Sequence, residues 1–111
     1  EDINLVTVLP YSSNPGLQIL TREGEWLDVT VPPDVMICDT GDMMALLTAG
    51  EIPATTHRVV NPLSGDGGRL SMPFFMHPHP DAILDPFRPG GESPILAREF
   101  LHARLREIGV A

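Results

Sequence analysis

Asp2, His57, Arg69 and Ser71 are the residues of this chain whose types and spacing could do chemistry together. The carboxylate stands at the extreme N-terminus in Glu1-Asp2-Ile3-Asn4-Leu5. The imidazole follows 55 positions later in Thr55-Thr56-His57-Arg58-Val59-Val60, and the guanidinium 12 positions after that in Arg69-Leu70-Ser71. A mononuclear non-haem Fe(II) centre uses two histidines and one carboxylate on one face of the ion, leaving the other positions for O₂ and substrate. One carboxylate and one histidine are present here. In the pattern His-x-Asp the second histidine would fall one residue before Glu1. The chain opens without methionine, on a residue that reads as the middle of a strand, so the expectation is a fragment cut inside that motif.

Arg69 and Ser71 are two apart. On a strand they would share a face, where a planar guanidinium fork and a hydroxyl can grip one carboxylate. Each of these residues also has an ordinary reading: a solvated aspartate, a hydrogen-bonded structural histidine, a surface ion pair and an edge serine. Residue types alone leave both readings open.

These residues must be positioned by short strands. Twelve prolines and ten glycines are spread along 111 residues, which points to many tight turns. Ile3 to Leu9 reads as a strand stopped by Pro10, and Leu17 to Thr21 as its successor. Trp26 to Val31, a short buried strand Val35 to Asp39, the histidine strand Thr55 to Asn61, and Arg69 to Met76 follow. Gly41 to Gly50 reads as one or two helical turns capped by Asp42. Ser64 to Gly68 reads as a loop, and the prolines at 78, 80, 86 and 89 predict a further stretch without regular structure. Ser93-Pro94 offers an N-cap and a first helical proline. Ala97, Leu101, Leu105 and Ile108 then recur at helical spacing up to Gly109, predicting an amphipathic helix from Pro94 to Ile108. Strands at intervals of about ten residues indicate an antiparallel sandwich or barrel.

Composition narrows the function classes. The net charge is −8, and all seven cations are arginines, so no basic stripe exists to neutralise phosphates and nucleic acid is excluded as a partner. No apolar run approaches the ~18 residues of a membrane span. Cys38 is the only cysteine, which permits no internal disulfide and is compatible with a reducing, cytoplasmic location. It lies in an apolar strand and reads as buried and inert. His77 and His79, flanked by prolines, read as a surface loop rather than a second metal site, and His102 as a structural residue of the last helix.

Several motifs in order resemble the isopenicillin N synthase-like branch of the Fe(II)/2-oxoglutarate-dependent oxygenases. They are Glu1-Asp2 through Thr7-Val8-Leu9, then Pro15-Gly16-Leu17-Gln18-Ile19, then Glu25-Trp26-Leu27. Cys38-Asp39-Thr40-Gly41-Asp42 through Leu47-Thr48, His57-Arg58-Val59, Arg69-Leu70-Ser71 through Phe75, and Asp85-Pro86-Phe87 complete the series. The likeness covers nearly the whole chain.

The resemblance implies a mainly β double-stranded β-helix, or jelly roll, incomplete over residues 1–111 as the C-terminal portion of one catalytic domain, with the amphipathic helix outside it. It implies Asp2 and His57 as Fe(II) ligands, and Arg69 and Ser71 as the grip on the distal carboxylate of 2-oxoglutarate. It also implies coupling of oxoacid decarboxylation to oxidation of a small-molecule substrate by O₂. In isopenicillin N synthase the same pair holds the peptide substrate and no oxoacid is used. Likeness of motif leaves that alternative open, along with a metal-free jelly-roll binding module. Leu9, Leu17, Val59 and Pro73 match substrate-pocket positions, with ordinary core as their other reading. The fragment is expected to lack activity alone, and to pair with its missing N-terminal half or to dimerise.

Overall fold

The computed structural model describes residues 1–61 and 68–110, so most of the loop expected at 64–68 lies outside the described residues. Ten short elements follow one another. They are β1 (Val6–Leu9), β2 (Leu17–Leu20), β3 (Trp26–Asp28), β4 (Ile37–Thr40), α1 (Asp42–Leu47), β5 (His57–Val59), β6 (Phe74–Met76), β7 (Ile83–Leu84), β8 (Ile95–Leu96) and α2 (Ala97–Glu107). They form two three-stranded sheets, ordered β4-β1-β6 and β3-β2-β5, and the two-stranded pair β7-β8. All pairings are antiparallel. This is the mainly β, jelly-roll class with a C-terminal helix that the sequence leads one to expect.

The register fixes which side chains share a face, because directly opposed residues in an antiparallel pair point the same way and neighbours along a strand alternate. Thr7 stands opposite Asp39 and Leu9 opposite Ile37. Ile19 stands opposite His57, and Leu17 opposite Val59. One face of the first sheet therefore carries Thr7, Leu9, Ile37 and Asp39, and one face of the second carries Leu17, Ile19, His57 and Val59.

The buried core lies to one side of these sheets. Met43 and Leu46 of α1, Leu84 of β7, and Ala97 and Phe100 of α2 form it, with Ile3, Leu5, Leu47, Ile95 and Leu101 packed around. It anchors α1, and α1 in turn anchors the N-terminal segment. The N–H groups of Asp42 and Met43, which have no partner inside the helix, donate to the carbonyls of Asp2 at 2.8 Å and Ile3 at 3.1 Å. Asp42 is thus the first helical residue and not the cap. Gly41 holds the cap position, with no side-chain cap bond.

Other expectations shift for identifiable reasons. The strand expected from Arg69 begins only at Phe74, since Pro73 has no N–H to extend the ladder. The stretch between Pro78 and Pro89 contains β7, whose partner β8 holds the chain extended through Leu96. The last helix consequently starts at Ala97, not after Ser93. Its first N–H groups are satisfied by tertiary partners, Ala97 donating to the Ala82 carbonyl at 2.9 Å and Arg98 to that of Pro80 at 3.0 Å. Phe100 joins Ala97 in the core, whereas Ile108 is exposed. The strand expected to be buried at 35–39 is the edge strand β4, with Val35 and Met36 exposed. Cys38 points away from Ile37 and Asp39 on that edge and is exposed rather than buried. Leu70, Met72 and all three residues of β6 are exposed apolar side chains. Among the described residues, no helix is long and apolar enough to cross a membrane.

Candidate metal centre

Two residues upstream of Asn4, the Asp2 side chain is held by a short polar relay. Thr7, 3% exposed, donates its hydroxyl proton to Oδ2 of Asp2 at 2.5 Å. The same hydroxyl oxygen accepts from Nδ2 of Asn4 at 3.2 Å, and that amide also donates to the Val6 carbonyl at 2.9 Å. Asn4 is 1% exposed. Buried polar groups of this kind are costly unless paired, so the relay fixes one carboxylate oxygen and leaves the other free to face outward.

His57 opens β5. Its Nδ1 lies 2.8 Å from the carbonyl of Thr55. A carbonyl can only accept, so Nδ1 carries the proton and Nε2 presents its lone pair. That Nε2 is 3.5 Å from Oδ1 of Asp2. The approach to β5 is tied to the first sheet, with the N–H of Thr55 donating to the Thr40 carbonyl at 2.9 Å. Thr56 donates its hydroxyl proton to Oε1 of Glu1 at 2.8 Å.

A third group completes the cluster. Asp39 projects from β4 on the same face as Thr7, and one ligand atom each from Asp2, Asp39 and His57 lie within 4.8 Å of one another. Oδ1 of Asp39 is buried with no hydrogen-bond partner among the described residues. Burial raises the Asp39 pKa above the usual carboxylate value, the charge of Asp2 raises it further, and His57 partly opposes the shift. An orphaned carboxylate oxygen, a second carboxylate and an imidazole lone pair converging on one point are a donor set that suits a divalent cation. The structure thus brings together Asp2 and His57, and adds Asp39, which the sequence reading holds only inside a turn motif. The signal that could have found it is the register of β1 against β4, which residue spacing does not reveal.

Arg69 lies elsewhere along the same surface. With Leu9, Leu17, Val29 and Ile37 it lines a cleft of about 200 Å³. Its Nε is buried and unpartnered among the described residues. Leu9 and Ile37 share a sheet face with Asp39, so the cleft continues from the cluster along the strands. Ser71 and Pro73 are exposed and outside any strand, so the paired grip expected of Arg69 and Ser71 is not assembled in this conformation. Val59, on the His57 face, is half exposed. His77, His79 and His102 are exposed, and Nδ1 of His79 accepts from the Asp81 N–H at 3.1 Å, as a surface loop would have it.

The comparisons with known proteins agree with this geometry. The model of the 2OG-Fe(II) oxygenase superfamily matches residues 1–78. Isopenicillin N synthase of a Flavobacterium species is 38% identical over 96 residues, which are 85% of this chain and 28% of that protein. The crystal structure of a 2OG-Fe(II) oxygenase family protein from Caulobacter crescentus superposes with a TM-score of 0.83 at 39% identity, covering 96% of this chain and 38% of that one. Full-length Neurospora crassa T7H, crystallised with alpha-KG, superposes with a TM-score of 0.84 at 26% identity, covering 95% of this chain and 35% of that one. The chain spans about three-tenths of the length of the curated relatives it matches. With its matched segment carrying Asp2, Asp39, His57 and Arg69, the chain belongs to the 2OG-Fe(II) oxygenase superfamily.

Proposed function

We propose that the protein carrying this chain is an Fe(II)-dependent dioxygenase that oxidises a small molecule at the expense of 2-oxoglutarate, and that Asp2 and His57 are two of its iron ligands. A second imidazole is expected from just before Glu1. The observation that carries this reading is the tautomer of His57. Its Nδ1–H is committed to the Thr55 carbonyl, which orients the ring and leaves Nε2 as a donor beside the Asp2 carboxylate. When bound, the iron supplies O₂ activation coupled to oxoacid decarboxylation. The chain's own residues do the rest: Thr7 fixes the Asp2 carboxylate, Thr55 fixes the His57 ring, and Arg69 offers a guanidinium for an acid in the adjoining cleft. Neurospora crassa T7H, bound to alpha-KG over a similar fold, supports 2-oxoglutarate as that acid. Ser71 would join Arg69 only after a rearrangement of the segment before β6.

Likeness to isopenicillin N synthase supports a second reading, in which Arg69 holds a carboxylate of the prime substrate and no oxoacid is consumed. Anaerobic Fe(II) titration of the intact protein tests the first assignment. One ion per chain should bind, and Asp2→Ala or His57→Ala should abolish it. Wild-type stoichiometry in either variant would refute the ligand set. Succinate release with turnover separates the two readings.

A further inference from the structure

Asp39 is left unused by the reading above, on which the following rests. A centre of two histidines and one carboxylate needs no second acid. Yet the carboxylate of Asp39 stands with that of Asp2 and the imidazole of His57 inside a common 4.8 Å, which is the spacing of groups that can share one ion. Its Oδ1 is buried and lacks any hydrogen-bond partner among the described residues. The placement is built in by the fold. Asp39 is locked opposite Thr7 by the β1–β4 register, and Thr7 is the residue that holds Asp2. An unsatisfied carboxylate in a polar cluster is costly to maintain, and a cation beside it removes the cost.

We propose that Asp39 is a second carboxylate ligand of this metal centre, which gives it a preference for oxygen-seeking divalent ions beyond that of a two-histidine, one-carboxylate site. Carboxylate suits Mn(II), whereas imidazole suits the later metals such as Co(II). Replacing Asp39 should therefore weaken Mn(II) binding more than Co(II) binding.

The experiment measures Mn(II) and Co(II) dissociation constants, anaerobically and without oxoacid, for the intact metal-free protein and for Asp39→Asn, Asp39→Glu, Asp2→Asn and His57→Ala. Asp39→Asn keeps the volume and removes the charge. It should weaken Mn(II) by about tenfold or more, the scale on which metal-supporting groups act, and Co(II) by clearly less. Asp39→Glu should recover part of the Mn(II) affinity and gives a folded comparison should the amide variant fail to fold. A crystal of the Mn(II)-loaded protein should place an Asp39 oxygen in the coordination sphere. Unchanged Mn(II) affinity in Asp39→Asn, or an ion bound without Asp39, overturns this inference alone, provided Asp2→Asn and His57→Ala still lose the ion. Failure of the unsubstituted protein to bind either metal overturns the inference together with the reading beneath it.

Discussion

A β-carbon placed on Gly41 would fall 2.2 Å from the carbonyl oxygen of Asn4 and 2.8 Å from that of Asp2. Gly41 has an ordinary φ of −107°, so the requirement is one of space and not of backbone conformation. Only a residue without a side chain lets the start of α1 run directly beneath the segment that carries Asp2. Gly41→Ala should push the two apart, at a cost of about 1–3 kcal/mol for overpacking a filled interior. Denaturant melts of the metal-free protein read the stability loss, and ion titration reads the displaced ligand. A variant with unchanged midpoint and unchanged ion affinity would show that this approach relaxes freely.

Thr7→Val removes the hydroxyl that donates to Asp2 while keeping the β-branched shape that suits β1. Asp2 loses its fixed orientation and Asn4 loses an acceptor. Ion affinity should fall by about 10–100-fold, as for other groups that orient a ligand from behind. Thr7→Ser, which retains the donor, should bind far more tightly than Thr7→Val. Equal affinities in the two variants would make the hydroxyl irrelevant.

Arg69→Ala should raise the oxoglutarate concentration needed for half-maximal turnover by more than tenfold. Removing one partner of a charged pair in a sheltered site costs about 2–5 kcal/mol, and ~1.4 kcal/mol is already a factor of ten. Arg69→Lys should recover only part, since an ammonium cannot reproduce the planar fork. If the variant instead weakens the prime substrate while turnover proceeds without oxoacid, the isopenicillin N synthase type of chemistry is the correct one.

Asp39 also sets a pH dependence. Its folded-state pKa is raised, chiefly by burial and then by Asp2, so the folded chain binds a proton more readily than the unfolded chain. Stability of the metal-free protein should therefore fall as pH rises from the ordinary carboxylate value through the raised one. Asp42, raised by burial against the opposing charge of Arg104, acts in the same direction. Asp39→Asn should flatten this slope and raise the melting temperature at neutral pH in the presence of chelator. Thermal melts from pH 4 to 8 check it, and an amide variant less stable than the parent at pH 7 would contradict the prediction.

Some of this is legible in the sequence, and the rest is hidden for physical reasons. The strand order and the pairing of Asp2 with His57 are readable because motif order carries them. Asp39 is not, because its place depends on cross-strand register, a tertiary property. Ser71 is expected beside Arg69 on a strand, but Pro73 stops that strand short of both. The local signal of Ser93-Pro94 starts the last helix too early, because β7 holds Ile95 and Leu96 in a strand pair and overrides it. Cys38 sits in an apolar run that forms a sheet edge, and its exposure follows from sheet order rather than from its neighbours in sequence.

With one cysteine, the chain has no internal disulfide with which to fasten one sheet to the other. An ion shared by Asp2 and His57 would do so, closing a loop of 55 positions between the strand pair that ends in β4 and the one that contains β5. Cross-linking a loop of that length restricts the unfolded chain by about 4 kcal/mol on the chain-entropy account. Bound metal also favours the folded state by mass action. Iron supply would then govern the lifetime of the protein as well as its turnover. Under iron starvation the two sheets lose their clasp, and the chain becomes a substrate for proteases before it becomes merely an idle enzyme.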